Sequence, residues 1–416
     1  MNYEYRDSGI DWIGKVPKHW EVTSIKKEFQ VIPSNVDKKT EDDEAEVKLC
    51  NYVDVYYNDF ITSDIEFMVA SATDNEISKF QLKLGDVLIT KDSEDPFDIA
   101  VPAIVKYSED KLLCGYHLSM IRSINNGIDG SYLFWALKDE FIASQLWREA
   151  CGVTRWAIAS RHIKNSTVPF PPKPEQIAIA NYLDKACADI DRVVEIKRNQ
   201  IENLQQQLKS IIHHTVTKGL NPKAEMKESS IDWIGKVPKH WKRSRIKDIV
   251  HLQSGDNIVS EQINDFDEFP VYGGNGLRGY FSDYTHEGEF VLIGRQGALC
   301  GNINYASGKF WATEHAVVAT PIKKVSTIWL GEILRTMNLN QYSNSAAQPG
   351  LSVEKIKNLY FMVPPFEEQK EIGKFIEEYS STKVSVQSKI EKQIEIILNY
   401  KKSLIHEVVT GKKQVV

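Results

Sequence analysis

The chain has 416 residues, with 51 Lys and Arg against 57 Asp and Glu and a formal net charge of −6. That length suggests two or three domains, and the acidic balance argues against a protein that coats nucleic acid unaided, while leaving room for local basic patches. No run of about 18 apolar residues occurs, so no membrane span is expected; the opening "MNYEYRDSGIDW" lacks the order of a secretory leader, and Cys50, Cys114, Cys151, Cys187 and Cys300 form no C-x-x-C pair, so neither a zinc site nor a disulfide framework is expected.

The first element is "SGIDWIGKVPKHW" (Ser8 to Trp20), which carries Trp12 and Trp20. An acidic run, Asp37 to Glu46, reads as a solvated loop. "KLGDVLIT" (Lys83 to Thr90) is a Gly-containing apolar run that predicts a strand, followed by Lys91, Asp92 and Ser93. His117 lies between apolar residues and reads as a core or hinge residue. "GSYLFWALKDEFIASQLW" (Gly130 to Trp147) has helical spacing, and "GVTRW" (Gly152 to Trp156) adds Arg155. Pro171-Pro172 then force extended backbone ahead of a long helix. Its seam is read as Ile179, Leu183, Ala186, Ile190, Val193, Lys197, Ile201, Leu204, Leu208 and Ile211, a heptad pattern with one slip at Lys197–Ile201–Leu204. Gly219 marks the stop.

The opening element then returns as "SSIDWIGKVPKHW" (Ser229 to Trp241), with Trp233 and Trp241 and one residue changed. The run "KHWKRSRIK" contains Lys242, Arg243 and Arg245 and no acid; a solvated face and phosphate contact are both open for it. "YGGNGLRGY" (Tyr272 to Tyr280) reads as tight turns with positive φ at Asn275-Gly276, which can also push Asn275 and Arg278 toward a groove. "GEFVLIG" (Gly288 to Gly294) predicts a strand, after which Arg295 and Gln296 are flanked by glycines. Arg to guanine and Gln to adenine are common base-reading pairs; a glycine turn with exposed polar residues is the alternative. His315 occupies a place comparable to His117 and is read the same way. "STIWLGEILRTMNLNQY" has helical spacing, Pro364-Pro365 precede a second long helix, and Gly411 ends it.

The chain is therefore one plan built twice. The lead repeats at an offset of 221 residues, whereas "IKNSTVPFPPKPEQ" (Ile163 to Gln176) and "IKNLYFMVPPFEEQ" (Ile356 to Gln369) repeat at 193. The regions between, residues 21–162 and 242–355, differ in length and are expected to share a mixed α and β fold with different surfaces. Amphipathic helices of about 60 Å (at 1.5 Å per residue) need a partner in water, and two copies supply it, so antiparallel pairing is expected. No Walker phosphate loop, H-E-x-x-H or G-x-S-x-G occurs.

These parts, in this order, resemble the specificity subunit of type I restriction–modification enzymes. "PVYGGNGLRGYF", "LIGRQGALCG" and "FWATEHAVV" are also similar to stretches of that family's target-recognition domains. The resemblance implies an α+β chain: two mixed α/β target-recognition domains separated by two long antiparallel α-helices forming a coiled coil, with a pseudo-two-fold internal repeat. Expected boundaries are 1–168 for the first recognition domain, 169–220 for the first helix, 221–361 for the second recognition domain and 362–416 for the second helix. It implies a cytoplasmic, non-catalytic subunit in which each domain reads half of an asymmetric, bipartite double-stranded DNA target. The expected partners are two modification subunits, methylating adenine with S-adenosylmethionine, and two restriction subunits using ATP and Mg, with no cofactor on this chain. Asn275, Arg278, Arg295, Gln296, Lys91, Arg155, Lys242, Arg243 and Arg245 are the candidate DNA contacts, and no catalytic or metal-binding residue is expected. Rival readings are a subunit serving a fused methyltransferase–nuclease and a coiled-coil scaffold that binds only proteins.

The identical leads cannot carry the difference between two half-sites. Trp12, Trp20, Trp233 and Trp241 are therefore expected to be joints that mount the recognition regions on the helices. The first lead is expected to meet the end of the second helix, which would bring the two ends of the chain together.

Overall fold

The computed structural model describes residues 3–124, 130–297, 299–343 and 350–415. By compactness the chain divides into a first unit, residues 1–197 and 392–416, and a second, residues 198–391.

In the first unit a five-stranded sheet runs in the order Phe29–Pro33, Leu118–Ser123, Val87–Thr90, Pro102–Val105, Phe60–Ile61. Its central strands, "VLIT" and "PAIV", are buried on both faces, which is why they read as continuous apolar runs. Val87, Ile89, Ile104 and Ile121 face the helix Ser131–Lys138, with its buried Trp135. Leu88, Ala103, Val105 and Met120 face the opposite way, onto a three-stranded sheet of Leu112–Cys114, Ala45–Cys50 and Met68–Ala72.

The second unit repeats the frame with six strands: Val250–Ser254, Ala316–Pro321, His286–Gly294, Ile303–Ala312, Phe269–Gly273, Gly276–Phe281. Val291, Ile293, Val317 and Ala319 pack toward the helix Thr327–Thr336. The other face carries a smaller core of Leu292, Ala306, Phe310, Ala312 and Val318. The two units thus share a sheet and its helix, and they differ in what is added to the far face.

The long helices are Lys173–Lys218 and Phe366–Val409. Each starts behind its proline pair in the same way: the Gln176 side-chain amide donates to the Pro171 carbonyl at 2.8 Å and that of Gln369 to Pro364 at 2.9 Å. Each ends on a glycine in the left-handed region, Gly219 at φ 75° and Gly411 at φ 72°. The strands Thr167–Phe170 and Tyr360–Val363, paired with Glu21–Ser24 and Lys242–Arg245, run across the expected boundaries at 168/169 and 361/362.

Within each unit the helices run antiparallel. Lys197 Nζ donates to Gln393 Oε1 and Lys401 Nζ pairs with Asp191, both at 2.7 Å, in the first unit. In the second, Lys383 Nζ donates to Gln207 Oε1 at 3.3 Å and Gln205 Nε2 to Gln387 Oε1 at 3.4 Å. One detail of the expected seam is corrected. Cys187 and Val194 are buried at 2% and 4% exposure, whereas Val193 is 43% exposed. With Cys187 and Val194 in place of Ala186 and Val193, the steps of three and four run from Leu183 to Ile211 without a slip. Cysteine behaves as a small buried hydrophobe, and that weight is what the periodicity count missed. No helix among the described residues is long and apolar enough to cross a membrane.

Candidate nucleic-acid interface

The repeated lead builds a joint. In the first copy the strands Tyr5–Asp7 and Lys15–Pro17 pair, and Arg6 donates to the Trp20 carbonyl at 2.8 Å. The buried Trp20 indole donates from Nε1 to Glu175 Oε2 at 2.6 Å, and His19 Nε2 lies 2.9 Å from Glu175 Oε1. Burial and a hydrogen bond to the same carboxylate push the Tyr3 phenol up to about 12. The far helix end closes the joint. Tyr5 donates its hydroxyl to the Gly411 carbonyl at 3.0 Å, and a Cβ added at Gly411 would lie 2.5 Å from Pro17 Cδ.

The second copy repeats the Trp and His contacts, with Lys227 in the place of Arg6 and with Met226 and Ala224 where the first copy has Tyr5 and Tyr3. Lys227 donates to the Trp241 carbonyl at 2.7 Å, Trp241 Nε1 donates to Glu368 at 3.1 Å, and His240 Nε2 lies 2.8 Å from Glu368 Oε2. Gly219 abuts Trp241 and Pro238. Trp12 and Trp233 are half-buried and pack against the cores of their own units. The first lead thus meets the end of the second helix, with Tyr5 beside Gly411.

A second shared frame lies at the sheet ends. The Lys91 N–H donates to the His117 carbonyl at 3.0 Å, and the Lys91 carbonyl accepts from Ile158 at 2.9 Å. The Arg295 N–H donates to the His315 carbonyl at 2.9 Å, and the Arg295 carbonyl accepts from Leu351 at 2.9 Å. Asp92 pairs with Ala157, as Gln296 bridges Gly350. The strand-end segments Lys91–Ser93 and Arg295–Gln296 are therefore equivalent, and His117 and His315 fasten them through their carbonyls. What differs is the side chains on the frame.

In the first unit Asp92, 8% exposed, accepts on Oδ1 from His117 Nδ1 at 2.6 Å and from Arg155 Nε at 2.8 Å. A terminal nitrogen of Arg155 lies 3.2 Å from the same Nδ1, so the three side chains form one cluster. Lys91 departs from the expected outward role. Its Nζ donates to the Ser34 carbonyl at 2.7 Å and lies 4.6 Å from the centre of the Tyr116 ring, and burial lowers its pKa. Nearby are aromatic residues that the reading of the sequence did not select. Tyr52 and Tyr56 stack at 5.5 Å, Tyr52 donates to Ser93 Oγ at 3.2 Å and Tyr56 to Asp98 Oδ1 at 3.0 Å. The spacing "YVDVY", with Tyr at i and i+4 behind a capping Asn51, was the available signal.

In the second unit the strands Phe269–Gly273 and Gly276–Phe281 form a hairpin that turns at Gly274-Asn275. The positive φ falls on Gly276 (102°) and Gly279 (151°), not on Asn275 as expected. Asn275 Oδ1 accepts from Asn302 Nδ2 at 3.0 Å, and a Cβ on Gly274 would meet the His315 carbonyl at 3.1 Å, which holds the hairpin against the Arg295 loop. Arg295 donates from a terminal nitrogen to Ser254 Oγ at 3.1 Å. Gln296 is exposed, and the exposed Arg278 lays its alkyl chain over Gly273. Asn275, Arg278, Arg295 and Gln296 thus gather on one loop cluster. They offer the amide and guanidinium groups suited to base edges.

The basic run is elsewhere in the fold. Lys242, Arg243 and Arg245 lie on the strand beside Tyr360–Val363, outside the six-stranded sheet. The Arg243 guanidinium stacks 4.0 Å from the Tyr360 ring centre, and Arg245 Nε donates to the Tyr360 hydroxyl at 2.8 Å. These two arginines serve the strand pair at the joint. Lys242 is exposed, with no ion-pair partner among the described residues. No group of three or more His, Cys, Asp or Glu able to hold a metal occurs among the described residues.

Two sheet-and-helix frames, each carrying its own loop cluster on a paired-helix support, define a protein with two recognition surfaces. A family model for the type I restriction modification DNA specificity domain matches residues 17–206 and 238–396. The EcoprrI specificity subunit of Escherichia coli is 40% identical over 149 residues, 35% of this chain and 37% of that relative. A putative type I specificity subunit, MjaX, of Methanocaldococcus jannaschii is 24% identical over 97% of this chain and 96% of its own length. A chain solved in a study of assembly and conformational transition of the type I system shares the fold, with a TM-score of 0.72 at 13% identity over 95% of this chain and 98% of that one. The chain belongs to the type I restriction–modification DNA specificity family.

Proposed function

We propose that this chain is the non-catalytic, cytoplasmic specificity subunit of a type I complex, and that its two loop clusters each read one half of an asymmetric, split DNA target. The observation that carries this is the shared frame with unlike side chains: Asp92 and Arg155 in the first unit, where Lys91 turns in to the Ser34 carbonyl, and Arg295, Gln296, Asn275 and Arg278 in the second. A common frame with different tips suits two different short sequences, whereas identical tips would suit a palindrome. Phosphate contacts would set register, with Lys242 as one donor, and loop side chains would read base edges. The chemistry belongs to partners: two modification subunits that bind S-adenosylmethionine and methylate adenine, and two restriction subunits that use ATP and Mg. The paired helices offer two equivalent surfaces, which suits two copies of one partner.

The test is to express the chain with its modification partner and map methylated adenines genome-wide. A split, asymmetric motif is expected. A palindromic motif, or no motif, would overturn the proposal.

A further inference from the structure

We infer that Arg155 reads a guanine in the half-site of the first unit, with Asp92 as the positioning residue that aims it. This rests on the reading of the loop clusters as base-reading surfaces.

Arg155 is built into a rigid presenter. Residues Cys151 and Ala157 exchange backbone hydrogen bonds of 3.0 and 2.9 Å, closing a short hairpin. Gly152 makes that closure possible, because a Cβ there would lie 1.9 Å from the Arg155 carbonyl. The hairpin is fixed to the strand-end segment by pairing of Trp156 with Ser93 and Ala157 with Asp92. Its tip is open, since Val153 is 95% exposed.

The guanidinium is held by Asp92 along its Nε edge, and one terminal nitrogen also lies 3.2 Å from His117 Nδ1. Nε and one terminal nitrogen both lie 2.8 Å from Asp92 Oδ1. The other terminal nitrogen has no hydrogen-bond partner among the described residues, and the side chain keeps 50% of its surface exposed. A guanidinium carries five donors in a fixed fork, so its terminal nitrogens keep donors for the paired bonds that guanine O6 and N7 accept. Asp92 cannot follow Arg155 outward: it is 8% exposed and also lies 2.6 Å from His117 Nδ1. The carboxylate therefore fixes the direction of the fork before any DNA arrives.

The local charge selects the base over the backbone. Asp92 pairs with the arginine, and the exposed Glu94 and Asp95 follow Asp92 in the chain. This acidic setting disfavours approach of a phosphate, while the edge of guanine is uncharged. The second unit is built otherwise, since Arg295 leans on the neutral Ser254 hydroxyl at 3.1 Å.

The experiment uses the complex of this chain with its modification partner and the motif mapped for the unaltered complex. The half-site belonging to the first unit is the one left unchanged by Arg295→Ala. A guanine is expected in it. Replacing that guanine with 7-deazaguanine, which lacks N7, should slow methylation about tenfold, within the discrimination of one bidentate pair. The same replacement should slow the Arg155→Ala complex no further. Asp92→Ala should broaden the bases accepted at that position while leaving the other half-site as it was. A first half-site without guanine, or equal rates on both oligonucleotides, would overturn the inference while the split motif stands. Uniform loss across all sites in Asp92→Ala, with base preference unchanged, would reduce Asp92 to a structural residue and overturn its assigned role. Absence of any split motif in the unaltered complex would instead bring down the reading beneath.

Discussion

The Trp20 indole donates a 2.6 Å hydrogen bond to Glu175, and Trp241 makes the same bond to Glu368 at 3.1 Å. In each joint one carboxylate at the start of a long helix serves both the Trp and the His of the lead. Glu175→Ala leaves a buried indole N–H without a partner, a cost of about 1–3 kcal/mol. Glu175→Gln keeps an acceptor and should cost less. Thermal denaturation of the two variants should show the Ala change as the larger; equal loss would mean that the carboxylate charge, not the acceptor, matters.

The glycines at the helix ends should not be equally sensitive. Both need a left-handed backbone, worth about 1–2 kcal/mol against a side chain. At Gly411 a Cβ also meets the Pro17 ring at 2.5 Å, whereas at Gly219 the nearest atom is the Glu368 carboxylate oxygen at 2.9 Å, on a side chain that can swing. Gly411→Ala should therefore lower the melting temperature more than Gly219→Ala.

The phase of the helix seam can be tested at adjacent positions. Val194 is 4% exposed and Val193 is 43% exposed. Val194→Ala should cost about 1–2 kcal/mol through lost burial, and Val193→Ala less than about 0.5 kcal/mol. A larger loss at Val193, read from denaturant midpoints, would restore the slipped seam.

His286 should make the second unit sensitive to mild acid. It stacks on Phe310 at 5.4 Å, and burial lowers its pKa, with the Asp256 charge opposing. A base with a folded pKa below its unfolded 6.5 binds fewer protons when folded in the window between the two values. Stability is therefore lost as pH falls from 6.5 through that window and regained as pH rises. His286→Phe should flatten this part of the melting-temperature profile between neutral and mildly acidic pH; an unchanged slope would assign the acid sensitivity to other groups.

Arg295→Ala removes the guanidinium held by Ser254 in the second loop cluster. Methylation of the mapped target should fall, or the second half-site should relax at one position, by the roughly 1–3 kcal/mol of one bidentate contact. Unchanged methylation of the full target would remove Arg295 from the base-reading set.

Much of the frame was legible because it is written twice. The duplicated leads, the paired prolines and the helix-ending glycines stand at fixed offsets, and repetition exposes them without any structure. The loop clusters proposed to read bases were legible only in part. Arg295 and Gln296 follow a strand in sequence, so strand prediction finds them. Asp92, His117 and Arg155 meet only because three distant segments converge at the sheet end, and no local pattern marks that meeting. Lys91 and Arg243 show the opposite failure. Sequence shows a positive charge, but only packing shows that one is spent on the Ser34 carbonyl and the other on the Tyr360 ring.

The Tyr5–Gly411 contact has a consequence for chain order. The joint in the second unit is continuous, running from Lys218 through residues 219–225 into the strand Met226–Glu228, while its twin in the first unit is assembled without that connection. The covalent link is thus present in one joint and absent from the other, although both hold the same Trp–Glu hydrogen bond. A circular permutant that ties Lys413 to Tyr3 through a short linker and opens the chain between Leu220 and Ala224 would keep every contact described above, with the reading order of its halves reversed.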